Sequence, residues 1–147
     1  MTKISVRPSV IVLQNNKLLV VHSKYNKEEF YLLPGGGIEN NETIFRCAIR
    51  EVKEETNQDV EIIKIVYLND YITRDGRCIN IYLLGQLVKE HELTHGKDPD
   101  LTKGKIREAT WMSIDKLKNL DFRPKELILR IEKDIPRFNS EDNYFLG

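Results

Sequence analysis

The chain has 147 residues, 40% of them hydrophobic and 31% charged, a length and profile that fit one soluble globular domain over 1–147 with a core of its own. Lys+Arg and Asp+Glu both number 23, so there is no basic excess of the kind that binds a nucleic-acid polymer. No apolar run approaches the ~20 residues of a membrane span, and the N-terminus lacks the apolar core of a signal peptide.

Two β-rich runs open the chain, Ser9–Leu13 and Lys17–Ser23, with Asn15-Asn16 between them. Asparagine tolerates the positive φ of a tight hairpin turn, so the pair predicts a hairpin. The stretch "FYLLP" reads as a short strand ended by Pro34, followed by the bare loop Gly35-Gly36-Gly37 and a helix that starts near Thr43 as N-cap. A long strand from Val60 to Ile72, the turn "RDGR" and the strand "CINIYLLGQLV" predict a second hairpin. His91 to Lys105 is polar and aperiodic and reads as a loop, either a lid over substrate or a loop without that role. "TWMSI" is a short strand, "SIDKLKNL" a helical turn begun by Ser113 or Asp115, and "PKELILRIEKDI" an amphipathic helix with Pro124 in its first turn. The tail from Pro136 has no period. Strands interrupted by one helix and closed by another predict a mixed α/β domain. Cys47 falls in the helix pattern and Cys78 in a strand pattern; both read as buried free thiols, which with the missing signal peptide suggests a cytoplasmic protein.

The segment "PGGGIENNETIFRCAIREVKEET" carries the chemistry. At about 100° per residue, Phe45, Ala48, Ile49 and Val52 form one stripe expected to pack on the sheet. Glu51, Glu54 and Glu55 lie beside that stripe and can converge at its rim. Like charges at this spacing repel, and the C-terminal end of a helix disfavours anions. An acidic helix on its own is an ordinary solvated face, with Arg50 and Lys53 as surface partners. Beside a loop without side chains it reads differently. Three carboxylates supply hard oxygen ligands for Mg²⁺ or Mn²⁺, and bare backbone can approach phosphate or metal.

The segment resembles the Nudix box: Gly36, five residues, Glu42, seven residues, then Arg50-Glu51-Val52-Lys53-Glu54-Glu55. Two positions depart from that pattern, Asn57 where the family has glycine and Gln58 where it has an aliphatic residue. Asparagine can still form the left-handed cap. Gln58 gives up an apolar contact, which Val60 can replace. The resemblance implies an α/β/α sandwich with a mixed sheet, and hydrolysis of a phosphoanhydride in a nucleoside diphosphate derivative. It implies divalent metal on Glu51, Glu54 and Glu55, with the carbonyl of Gly35 or Gly36 as a further ligand. Arg50 would orient a glutamate and Glu42 would pair with Arg50. Glu51 or Glu54 would be the general base, with Glu92, Asp98, Asp100 and Glu108 as loop alternatives.

The expected partner is a small nucleotide-derived substrate: an NDP-sugar, an ADP-ribose-like compound or a nucleoside triphosphate. A homodimer is compatible with the family. Arg7 and Lys24 are candidate phosphate contacts, and Tyr31 and Phe30 candidate stacking surfaces for a base; solvation and packing are the plainer roles. Trp111 is expected in the core, and His22, His91 and His95 form no ligand spacing. The competing functions are a nucleotide sensor that binds without cleaving, and an acidic-helix interaction module.

Overall fold

A computed structural model describes residues 3–94 and 106–138. Strand β1 (Lys3–Gln14) turns into β2 (Lys17–Tyr25) through Asn15 and Asn16, both with positive φ (53° and 61°). The hairpin predicted from the asparagine pair is therefore present. A second turn of the same kind, Asn26-Lys27 (φ 47° and 67°), leads into β3 (Glu28–Leu32), which starts earlier than the "FYLLP" pattern suggested. Helix α1 spans Ile44–Thr56. Strands β4 (Asp59–Thr73) and β5 (Gly76–Lys89) form the second hairpin, followed by β6 (Ile106–Ser113), α2 (Ile114–Leu117) and α3 (Lys125–Phe138). Helix α3 runs past Pro136, which sits in its last turn. There the missing N–H costs one hydrogen bond at a fraying end.

The sheet runs β3-β2-β1-β5-β4, with β6 also paired to β2. β1 lies parallel to β5 over Lys3↔Gly76 to Val12↔Gly85, while the β4–β5, β2–β3 and β2–β6 pairs are antiparallel. The sheet is thus mixed. Alternation along β1 sends Val10 and Val12 to one face and Ile11 to the other. The first face packs with Leu19, Leu83 and Ile81 against Ala48 and Val52 of α1. The second packs with Val20, Tyr67 and Tyr82 against Leu117 of α2 and Ile128 and Ile131 of α3. One helix on one face and two on the other make the α/β/α sandwich. Cys47 and Cys78 are free and buried, and among the described residues no helix is long and apolar enough to cross a membrane.

Candidate active site

The glycine loop runs along β1. Val10 N–H donates to the Pro34 carbonyl (3.0 Å), Gly36 N–H to Pro8 (3.2 Å) and Ile38 N–H to Val6 (3.0 Å). The first two glycines are needed for different reasons. A Cβ on Gly35 would strike the Pro8 carbonyl and the Ser9 hydroxyl; one on Gly36 would strike the carboxylate of Glu51. At Gly37 it would meet nothing within 4 Å.

Thr43 caps α1, its hydroxyl accepting from Arg46 N–H at 3.2 Å, and Asn57 ends it in the left-handed conformation at φ 65°. The helix is rotated from the expected stripe. Ala48 and Val52 are buried, but so are Cys47 and Thr56, while Phe45 and Ile49 are 44% and 39% exposed. The buried arc is centred near Glu55 rather than between Phe45 and Val52. The glycine loop meets the helix along that arc and supplies polar backbone, so Glu55 can face inward where an apolar neighbour would have excluded it.

Two arginines divide the acids. Glu42 grips Arg50 in a two-point fork, Nε to Oε2 at 2.9 Å and Nη2 to Oε1 at 2.6 Å. Arg50 Nη1 then donates to Glu51 (3.0 Å) and Glu54 (3.2 Å). The fork holds the Glu42 carboxyl at about 2, well below its ordinary range. Glu55 is held elsewhere: Oε1 accepts Gly35 N–H at 3.0 Å, and Oε2 accepts from Arg107 Nη1 at 3.2 Å. Its side chain is 9% exposed. Burial pushes its carboxyl up to about 7, against the pull of Gly35 and Arg107 and with a further push from Glu51. Glu54 points outward, at 58% exposure. Among the described residues no three acids, histidines or cysteines converge as a ready metal cage. The expected convergence of all three glutamates is replaced by a split: Glu51 and Glu55 at the glycine loop, Glu54 drawn off by Arg50. The carboxylates pair with the guanidinium groups within reach. The donor set nonetheless suits a divalent cation, because hard oxygens of Glu51 and Glu55 crowd one another in a partly desolvated place.

A NUDIX domain profile matches residues 4–131. The chain belongs to the NUDIX family. It is 28% identical over 120 residues to Nudix hydrolase 5 of Arabidopsis thaliana, covering 79% of this chain and 38% of that protein. It is also 28% identical over 121 residues to an ADP-ribose pyrophosphatase of Methanocaldococcus jannaschii, covering 80% and 67%. The chain thus spans well under half of the first relative and about two thirds of the second. A solved ADP-ribose pyrophosphatase from Streptococcus suis superposes with a TM-score of 0.70 at 19% identity, covering 96% of each chain, which establishes the fold.

The two departures from the NUDIX box are both put to use. Gln58 is fully buried, yet satisfied: its amide donates to the carbonyls of His91 (2.7 Å) and Thr56 (3.3 Å), and its oxygen accepts His91 N–H at 2.9 Å. Asn57 Nδ2 donates to the Glu92 carbonyl at 2.9 Å. The apolar contact expected to be lost is replaced by a clamp on the exit of β5, and Val60 is buried in the core beside it.

The carbonyls of Gly36 and Gly37 lie beside the buried Cys47 thiol. Cys47 Sγ lies 3.8 Å from the Gly36 oxygen and 3.7 Å from that of Gly37. Gly35 enters through its N–H. Burial pushes the Cys47 thiol up to about 12, so it stays protonated. Arg7 is exposed and lines a cavity of about 110 Å³ with Ser9, Asn80, Tyr82 and Arg123, next to the Ser9↔Gly35 bridge. Lys24 is exposed on β2, opposite Glu29. Tyr31 stacks on His22 (centroids 4.4 Å, planes 8° apart), and Phe30 carries Arg123 over its ring at 4.1 Å. Those ring faces are used within the protein. Trp111 packs on the α1 side of the core, and His91 Nε2 sits 2.6 Å from Asp59. Glu92 and Glu108 are exposed. His95, Asp98, Asp100 and the rest of the loop over 95–105, read as a lid or as a loop without that role, lie outside the described residues.

Arg107 is the residue the box could not reveal, since it lies 52 positions from Glu55. A signal existed in "IREATWMS": Arg107, Ala109 and Trp111 alternate with polar residues and share the face of the strand that looks at α1.

Proposed function

We propose that this domain hydrolyses a phosphoanhydride in a nucleoside diphosphate derivative, with Mg²⁺ or Mn²⁺ held by Glu51, Glu54 and Glu55. ADP-ribose-like compounds stand first, ahead of NDP-sugars and nucleoside triphosphates, because a relative at 28% identity is an ADP-ribose pyrophosphatase. The observation that carries the reading is the contact of Glu51 with Gly36: only a residue without Cβ leaves room for that carboxylate. The loop thereby gains both a bare backbone and an anion beside it.

A diphosphate is densely negative and repels hydroxide. A bound divalent ion would neutralise that charge and lower the pKa of a coordinated water. Arg50, gripped by Glu42, orients Glu51 and Glu54 from one nitrogen, and either carboxylate can accept the proton of the attacking water. Gly35 N–H and Arg107 aim Glu55 at the loop. Arg7 and Arg123 line the small cavity beside that loop, and arginine side chains suit phosphate oxygens. That cavity shares Tyr82, Pro124 and Leu127 with a larger groove of about 560 Å³ along α3, which gives the rest of a nucleotide room.

The test is turnover on a nucleotide panel with Mg²⁺, with and without chelator, for wild type and Glu54→Gln. Phosphate-containing products from wild type, lost with chelator and strongly reduced in the variant, are the expected result. Equal turnover in both proteins would refute the carboxylate assignment.

A further inference from the structure

We propose that Arg107 is the resident counter-ion of Glu55, fixing that carboxylate at the glycine loop and competing with a divalent cation for it. The inference rests on the reading of Glu55 as a cation ligand. Glu42, Glu51 and Glu54 all bond to Arg50. Glu55 instead faces Arg107, which reaches it from β6 at 3.2 Å. The two oxygens of Glu55 are thereby assigned, one to Gly35 N–H and one to Arg107.

The register of β6 on β2 makes this possible. Ser23 lies opposite Arg107, Val21 opposite Ala109 and Leu19 opposite Trp111, so the guanidinium leaves the sheet on the α1 side. Its hold is not that of a saturated strut. Arg107 Nε is buried with no hydrogen-bond partner among the described residues, and the Ser23 hydroxyl across from it, fully buried, has none either. The side chain is 31% exposed. One charged hydrogen bond among the described residues, with Nε unused, is a bond that a divalent cation can displace. While it stands, the positive charge lowers the attraction of the site for any second cation.

The sign of this effect separates it from simple support. Removing a structural strut disorders Glu55 and weakens cation binding; removing a competing counter-ion strengthens it. The experiment is a titration of metal-free protein with Mn²⁺, free ion read by electron paramagnetic resonance, without nucleotide. Arg107→Met is expected to bind Mn²⁺ on the order of tenfold tighter than wild type, and Arg107→Lys, which keeps the charge, within about twofold of it. Arg107→Gln removes the charge and keeps a donor, and is expected to tighten binding equally; it is read in place of Arg107→Met if near-ultraviolet circular dichroism shows that variant unfolded. A folded neutral variant that binds Mn²⁺ as wild type does, or more weakly, overturns the proposal. Wild type that takes up no Mn²⁺ at all overturns the reading of Glu55 as a ligand and this inference with it.

Discussion

Two carboxylates are largely withdrawn from solvent on helices that cover opposite faces of the sheet, Glu55 on α1 and Asp134 on α3, and each meets an arginine. Asp134 Oδ2 accepts the Tyr67 hydroxyl at 2.7 Å and Arg130 Nε at 3.0 Å, among residues of the larger core. Its donors answer its charge, and no second acid is among them. Glu55 has a backbone N–H and one guanidinium, and Glu51 presses on it from the same side. Burial and that crowding push Glu55 up to about 7. A buried acid with enough donors is a fastening within the fold. A buried acid crowded by another is short of positive charge, and a cation supplies what is missing.

The largest effect expected from this contrast is on turnover. Glu51→Gln keeps the shape of the side chain and removes the charge, and should lower kcat on the order of 10³-fold. Asp134→Ala should leave kcat within a fewfold and lower stability instead. It deprives the buried Tyr67 hydroxyl of its main partner, a loss of about 1–3 kcal/mol by urea unfolding. The comparison breaks if the two variants show the same profile, either both inactive or both merely unstable.

Next in size is a pair of adjacent glycines. Gly36→Ala places a methyl group where the Glu51 carboxylate lies, and the flexible end of that side chain is what must move. Misplacing a reacting group by about 1 Å can cost on the order of 10²-fold in rate, so activity should fall far more than stability. Gly37→Ala meets nothing within 4 Å and should leave kcat unchanged, with stability neutral or raised by about 0.4–1 kcal/mol. Turnover and urea midpoints of the two variants measure this directly. Loss of activity in both would mean that the loop itself, rather than its contact with Glu51, is what the chemistry needs.

Local geometry was legible in the sequence and long-range geometry was not. Asn15-Asn16 marked its hairpin, and Thr43 and Asn57 marked the ends of α1, because each acts within a few bonds of itself. Glu42 and Arg50 stand eight residues apart, on a loop and the helix it enters, within reach of a motif. The rotation of α1 was hidden, since periodicity yields a stripe without saying which polar group the opposing surface will accept. Phe45 and Ile49 therefore turned out exposed and Glu55 inward. Gln58 looked like a lost apolar contact because its partners, the backbone groups of His91, are brought there only by the β4–β5 hairpin. Arg107 depended on the register between β2 and β6, which no single segment encodes.

The smallest effect is in the pH dependence of stability, and its sign distinguishes the two acids of the box that are most strongly shifted. Glu55 rises from 4.5 to about 7 on folding. Between those values the folded protein holds a proton that the unfolded chain has released. Stability from this group therefore falls as pH rises from about 4.5 to 7, and is level above that. Glu42 goes the other way, to about 2 through its fork with Arg50. Its contribution is complete above 4.5 and is lost as pH falls toward 2. The two limbs meet near pH 4.5. In metal-free protein the upper limb should amount to about 1–2 kcal/mol. Urea unfolding in chelator from pH 4.5 to 8 should show it in wild type and in Asp134→Ala, and not in Glu55→Gln. Mn²⁺ should flatten it as well, since cation binding expels the proton from Glu55 and gives the folded state a partner for the charge. If the limb survived in Glu55→Gln, the strain on α1 would belong to another group, and Glu55 would be a fastening of the same kind as Asp134.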